Sequence, residues 1–370
     1  MKYNGKVIDS HCHLHGGYSG LASFMEDSNR LAGQAKLDMV NVAMAPQWDD
    51  EYITQNPLGI LYKALNPTKV FAYMGFDSYP PQGAVSKPFL EQVIEGMAMG
   101  FDGVKMVELK PTVQKRLHVK ISDPCYDPVF SYMEEKQIPL LLHVADPETF
   151  WSKEQCPEFA LKKGWLYENG GYPEKEALYQ DTEAMLDRHP NLQVSLAHFY
   201  FLSDDIGRAQ RIMDRYPNVR FDLTPGTEMY GNFTKTPEAW HDFFIKYQDR
   251  IMLGTDNGGL SADGMMPMSE KIDYAIHNVG TVRRFLETAD RFDGHGMHLA
   301  GIDLPVSALE KIYHLNFEKM VGTQPKKVDM VRANEYARGM AALYENKDVP
   351  FGDIAYPLLV QISQMLTEVI

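Results

Sequence analysis

The sequence predicts an α/β chain folded as a (β/α)8 TIM barrel with long loop insertions and extra C-terminal helices. Three observations carry that expectation. Eight short apolar runs recur along the 370 residues, amphipathic stretches of helical period separate them, and several runs end in histidine or aspartate. Strands alternating with helices imply parallel pairing, and eight such units suggest closure into a barrel. The competing architecture is an open doubly wound sheet. No Gly-x-Gly-x-x-Gly follows the first run, and polar residues close too many runs for that alternative. A barrel takes roughly 250 residues, so about 120 here belong to insertions and a tail.

The runs, in order, are 7–13, 39–45, 70–76, 103–107, 138–144, 192–198, 219–223 and 251–255. Helical stretches between them cover 87–99, 128–136, 175–189, 204–216 and 237–247. Beyond the eighth run, 269–288, 306–321 and 327–344 read as long helices packing outside or beneath the barrel, with C-terminal helices about 304–345. No linker rich in Gly, Pro or Ser interrupts the chain, so residues 1–370 are expected to form a single domain.

Composition narrows the function. Hydrophobic residues make up 44% and charged residues 23%, which fits a well-packed soluble core. The net charge of −14 argues against nucleic-acid and anionic-membrane partners, though a local basic pocket could still receive a small anion. Cys12, Cys125 and Cys156 are widely spaced and odd in number, so a reducing compartment is expected. The amino terminus lacks the apolar core of a signal peptide, and no run is long enough to span a bilayer. These point to a cytoplasmic protein acting on a small-molecule substrate, with homo-oligomerisation left open.

The first run, Val7-Ile8-Asp9-Ser10-His11-Cys12-His13, organises the rest. Strand alternation sends His11 and His13 to the same face, where two neutral imidazoles can grip one divalent metal. Alone, such a pair is as readily a solvated couple at a strand end. A barrel, however, gathers its site residues at the carboxyl ends of the strands, on one rim. The fifth run ends in His143, the sixth in His198, and the eighth in Asp256. A lone histidine there is usually a satisfied core residue; five ligand-type groups on one rim are harder to explain that way. Cys12 alternates to the other face and is expected to pack.

The His-x-His, the two strand-end histidines and Leu253-Gly254-Thr255-Asp256 together resemble the amidohydrolase superfamily. More narrowly they resemble its amidohydrolase-related (amidohydrolase 2) branch, which includes aminocarboxymuconate-semialdehyde-type decarboxylases and lactone hydrolases. His314-Leu315-Asn316-Phe317-Glu318-Lys319-Met320 is similar to the helix that closes the barrel in that branch. The resemblance spans nearly the whole chain. It implies one divalent metal ion, zinc first and manganese second, held by His11, His13 and His143, with Asp256 as a ligand or as the partner of the bound water. Such a metal acidifies its water towards neutrality, and Asp256 and His198 would then move protons.

In binuclear relatives a lysine on the fourth strand is carbamylated and bridges two metals; Lys105 lies in that strand. Many single-metal relatives also show Gly-x-Lys there, so the mononuclear reading is preferred, with Lys105 otherwise facing a substrate carboxylate. The expected reaction is metal-dependent hydrolysis of an amide, ester or lactone of a small, acidic organic molecule. The alternative is non-oxidative decarboxylation of a small aromatic or unsaturated acid, and a barrel holding metal only structurally is a third reading.

Two insertions bear on substrate. Residues 145–173, after the fifth run, carry Trp151 and Trp165 and read either as a lid or as a satellite hydrophobic cluster. Residues 110–120, after the fourth, gather Lys110, Lys115, Arg116, His118 and Lys120. They read either as a solvated loop or as a positive patch in which Arg116 meets a carboxylate while Trp151 or Trp165 covers the body of the substrate.

Overall fold

The computed structural model describes residues 1–14, 16, 20–45, 55–78, 86–225, 228–258, 267–345 and 352–368. Eight parallel strands run in chain order β1 to β8: Ile8–Cys12, Met39–Ala43, Val70–Gly75, Gly103–Leu109, Leu140–Val144, Val194–Leu196, Val219–Asp222 and Ile251–Met252. The seam between β8 and β1 is bridged by backbone bonds from Ser10 N to Leu253 O (2.9 Å) and from Thr255 N to His11 O (3.1 Å), so the sheet curls into a nearly closed TIM barrel.

Helices alternate with the strands. The helices α1 (Leu21–Gln34), α2 (Gln55–Leu65) and α3 (Phe89–Met99) follow β1, β2 and β3. After β4 come α4 (Pro111–Leu117) and α5 (Asp127–Lys136), and after β5 come α6 (Glu158–Lys162) and α7 (Lys175–Arg188). The helix α8 (Ile206–Arg215) follows β6, while α9 (Met229–Phe233) and α10 (Pro237–Lys246) follow β7. Beyond β8 lie α11 (Met268–Glu287) and a hairpin of β9 (Arg291–Gly294) and β10 (Met297–Ala300). Next, α12 (Val306–Glu310) passes through a π-helical turn into α13 (Asn316–Val321), and α14 (Met330–Leu343) pairs with α15 (Gly352–Glu368).

The strands have buried side chains on both faces, as parallel strands covered by helices require. A large core fills the layer between strands and helices, and Cys12 lies in it, as alternation predicts. Inside the barrel a second cluster of Ile8, Met39, Phe71 and Met252 is plugged by Phe317 and Met320 from α13. Phe317 meets Phe71 edge-on with centroids 5.0 Å apart, and the Asn316 amide donates to the carbonyls of Ile251 and Gln248. The far end of the barrel is therefore sealed, leaving the strand carboxyl ends as the open rim.

Two expectations change in detail. Residues 110–120 are not a loop: Pro111 sits at the first turn, where its missing N–H costs nothing, and starts α4. The aromatic insertion folds on itself, with Phe150, Cys156, Ala160 and Tyr167 buried and Trp151, Trp165 and Tyr172 packed against them. The last helix, α15, and the β9–β10 hairpin have no counterpart in the sequence reading.

Candidate metal centre

His11 and His13 extend from β1 into the barrel mouth, and both have their Nδ1 atoms tied back. His13 Nδ1 donates to the Ala43 carbonyl at 2.7 Å, at the end of β2. His11 Nδ1 lies 2.9 Å from Asp222 Oδ2 and 3.0 Å from Thr224 Oγ1. Each ring therefore turns its Nε2 towards the centre, where the two nitrogens come within 3.2 Å. Asp256 completes the group: its Oδ1 is 3.0 Å from His13 Nε2 and 3.9 Å from His11 Nε2. The ligand atoms of His11, His13 and Asp256 all lie within 4.8 Å of one another.

Glycine geometry explains part of the Leu-Gly-Thr-Asp run. A Cβ on Gly254 would collide with Thr224 Oγ1 and lie 3.2 Å from the His11 Cβ, so only glycine lets β8 pass this close to β1. Asp256 itself takes a left-handed backbone (φ 58°), which turns its carboxylate back over the rim. Thr255 reaches the other way and donates to Asp9, another β1 side chain buried in the barrel.

The electrostatics suit a cation. Burial, with Lys105 and His13 nearby, holds His11 well below its ordinary value, so its imidazole is neutral and keeps a lone pair. Burial pushes the Asp256 carboxyl up, but the His13 hydrogen bond and the His13, His198 and His11 rings outweigh it and hold the group well below the usual carboxylate range. Two imidazole nitrogens and a carboxylate oxygen pointing at one spot are a donor set that fits a divalent metal.

His143 and His198 stand further out. The rings run His13, His11, His198, His143, with successive centroids 5.0, 5.5 and 4.9 Å apart. His143 is thus the expected ligand that the structure does not bring into the group. Its Nε2 is buried without a hydrogen bond, 3.5 Å from Asp146 Oδ1. His198 is pushed down to about 3 by burial and by His143, and its Nδ1 is likewise buried and unpaired.

His198 opens an unusual turn. His198, Phe199, Tyr200 and Phe201 all have positive φ (56, 55, 57 and 49°), a left-handed turn that costs roughly 1–2 kcal/mol per residue. Packing holds it. Phe199 is clasped by Phe221, Phe233, Trp240, Phe243 and Phe244, and Tyr179 donates to the Tyr200 carbonyl. Phe201, at the end of the turn, stacks on His198 at 5.1 Å and meets His143 at 5.8 Å.

Lys105 points inward from β4, with its Nζ 3.2 Å from His11 Nε2. Burial lowers it to about 8, against the pull of Asp222, Asp256 and Glu108. The expected substrate residues are further away in structural terms. Trp151 donates its indole N–H to the Pro173 carbonyl, and Trp165 stacks on Phe150 within the insertion. Arg116 lies on the exposed side of α4. The two insertions do meet: Lys110 sits 4.1 Å over the Trp165 ring and Lys115 4.0 Å over Tyr172. Lys110 is also buried in an ion pair with Asp146 at 2.9 Å, and Tyr167 donates to the same carboxylate.

The sequence reading missed Asp222 and Asp146. Asp222 was open to the rule that found the others, since Val219-Arg220-Phe221-Asp222 also ends a strand in an acid. Asp146 follows β5 and carries no such signature.

Comparison with known proteins agrees with this geometry. A family model described as amidohydrolase, of the amidohydrolase 2 branch, matches residues 8–323. The chain belongs to the amidohydrolase family. Its fold is shared with 4-oxalomesaconate hydratase from Rhodopseudomonas palustris, at 14% identity and a TM-score of 0.53, covering 90% of this chain and 98% of that one. A solved amidohydrolase II matches at 11% identity and a TM-score of 0.51, covering 85% and 99%. The 2,6-dihydroxybenzoate decarboxylase from Rhizobium matches at 14% identity and 0.48, covering 86% and 99%. No curated protein sequence matches. The family is one of enzymes that are typically metal-dependent. Among the described residues, no helix is long and apolar enough to cross a membrane.

Proposed function

We propose that this amidohydrolase is a metal-dependent hydrolase that opens an amide, ester or lactone bond in a small organic acid. The observation that carries the reading is the convergence of His11 Nε2, His13 Nε2 and Asp256 Oδ1, with both Nδ1 atoms tied back by the fold. A divalent ion there, zinc by donor type or manganese, would supply a water acidified towards neutrality. His143, whose buried Nε2 makes no hydrogen bond, would be the further ligand.

Asp256 is ionised, 3.0 Å from His13 and partly open to the rim, so it is placed to take a proton from the attacking water. His198, neutral and beside the group, would donate a hydrogen bond to the substrate oxygen. Lys105, buried and within reach of His11, would face the substrate carboxylate, and the mononuclear reading leaves it uncarbamylated. The insertion 145–173 would act as a lid, with Trp151 and Trp165 over the substrate body and Arg116 at its outer edge.

Decarboxylation of an aromatic or unsaturated acid is the second reading, because the same residues could hold such an acid against Lys105. It needs Asp256 to deliver a proton to carbon. The histidines around Asp256 keep it ionised, which favours the hydrolytic role. Zinc-loaded and manganese-loaded enzyme screened against lactones, amides and aromatic acids separates the two: hydrolysis consumes water and titrates acid, whereas decarboxylation releases carbon dioxide. Carbon dioxide from an aromatic acid, with no hydrolysis of any lactone or amide, would overturn the hydrolase reading.

A further inference from the structure

We propose that Asp222 is a positioning residue whose single carboxylate sets the tautomer of His11 and fixes the start of the left-handed turn that carries His198. The inference rests on the metal-centre reading above and adds a residue and a cause to it.

Asp222 ends β7 and is fully buried. Its two oxygens face different partners. Oδ2 lies 2.9 Å from His11 Nδ1, while Oδ1 accepts the backbone N–H of His198 at 2.8 Å and that of Thr224 at 3.2 Å. Burial raises the Asp222 carboxyl, while His198, Lys105 and the two backbone N–H bonds favour its ionised form; as a carboxylate it can only accept, which puts the His11 proton on Nδ1. The Nε2 lone pair then faces the centre, with His13, Asp256 and the Lys105 amine around it. The other nitrogen of a ligand histidine is commonly fixed in this way, and the partner tunes affinity as well as orientation.

The second oxygen does a different job. Four consecutive residues with positive φ are costly, and His198, the first, has its N–H captured by Asp222 at the point where the chain leaves β6. The same carboxylate therefore holds the ring of one site histidine and the backbone of another. Its two bonds to His11 and His198 cross from β7 to β1 and to the β6 turn, which ties three strand ends together.

Asp222→Asn tests this because it changes one oxygen only. The amide oxygen is kept by the two backbone N–H groups, so the NH2 must face His11 Nδ1. Two donors cannot face each other, and His11 moves its proton to Nε2, blocking the lone pair aimed at the centre. In metal-free protein, nitrogen-15 imidazole spectra should show His11 as Nδ1–H in the wild type and Nε2–H in the variant. Zinc affinity, measured by competition with a chromophoric chelator, should fall about 10–100-fold.

A His11 that is Nε2–H in the wild type would overturn the proposal, and so would an unchanged tautomer in a folded Asp222→Asn. A variant that flips the tautomer yet binds zinc within twofold of wild type also overturns it. Should the variant fail to fold, the wild-type spectrum still decides the tautomer. Wild-type protein that shows the Nδ1–H form but binds no zinc would sink the metal reading alone, so the two failures are distinguishable.

Discussion

At the scale of the residue, the site depends on which nitrogen of each histidine is spent. His11 and His13 both commit Nδ1 to acceptors in the fold, Asp222 and the Ala43 carbonyl, and this turns the two Nε2 atoms towards each other at 3.2 Å. Wild-type protein should therefore retain about one equivalent of divalent metal. His11→Ala with His13→Ala should lose it while keeping the far-ultraviolet circular dichroism of the barrel, because the two apolar clusters that hold the strands and helices together include neither ring. Elemental analysis of the double variant decides the point, and full occupancy would remove both residues from the centre. Asp256→Asn should keep much of the metal and lose activity by about 10²–10⁴-fold, the usual worth of a general acid–base group. Turnover within threefold of wild type would exclude Asp256 from proton transfer. These residues were legible because a polar side chain closing an apolar run needs a reason. Asp222 was equally legible by that rule, and its importance lies in a bond to a residue 211 positions away, which no local pattern reports.

At the scale of the element, the sequence showed where strands start better than where they end. The eighth run was expected over 251–255, but β8 pairs only over Ile251–Met252. Gly254 then lets the chain bend across β1, and Asp256 turns back with positive φ. Periodicity registers apolar faces, not backbone hand, so the left-handed turn after β6 was equally hidden. Nothing in His198-Phe199-Tyr200-Phe201 suggests positive φ, since the conformation is imposed by the aromatic cluster around Phe199 and not by local preference. The segment 110–120 looked like a loop because its charges dominate it and only Pro111 and Val113 of α4 are buried. The tight crossing at β8 gives a test at this scale. Gly254→Ala should push Thr224 away from His11 Nδ1 and lower stability by about 1–3 kcal/mol, the range for overpacking a filled site. It should also weaken zinc binding. Urea midpoints on metal-free protein together with the chelator competition would show it, and a stability loss with unchanged zinc affinity would mean that the crossing does not position His11.

At the scale of the molecule, helices α14 and α15 add a layer to the barrel that the sequence reading only half anticipated. Between α3 and α14 lies a cavity of about 450 Å³, walled by Met74, Met99, Phe101, Tyr336 and Met340, with Asp77 from the segment after β3 on its lining. The backbone of Asp77 is held by Gln92, but among the described residues its carboxylate has no hydrogen bond, and burial raises the group from 3.8 to about 6. The sign of its effect on folding follows. Below about pH 3 the group is protonated in both states and costs nothing. As pH rises the unfolded chain ionises first, so a penalty on the native state grows until Asp77 itself ionises near 6, and it is constant above that. A shift of this size corresponds to at most about 3 kcal/mol, nearer 1–2 once partial solvent screening is allowed for. Asp77→Asn removes the charge and keeps the shape. Metal-free wild type and variant should therefore unfold at nearly the same urea concentration close to pH 3, and the variant should be the more stable at pH 8. Equal stabilities at both pH values would show that Asp77 acquires a partner in solution. A stabilisation of the same size at both would mean that the gain comes from the amide's own contacts and not from the buried charge.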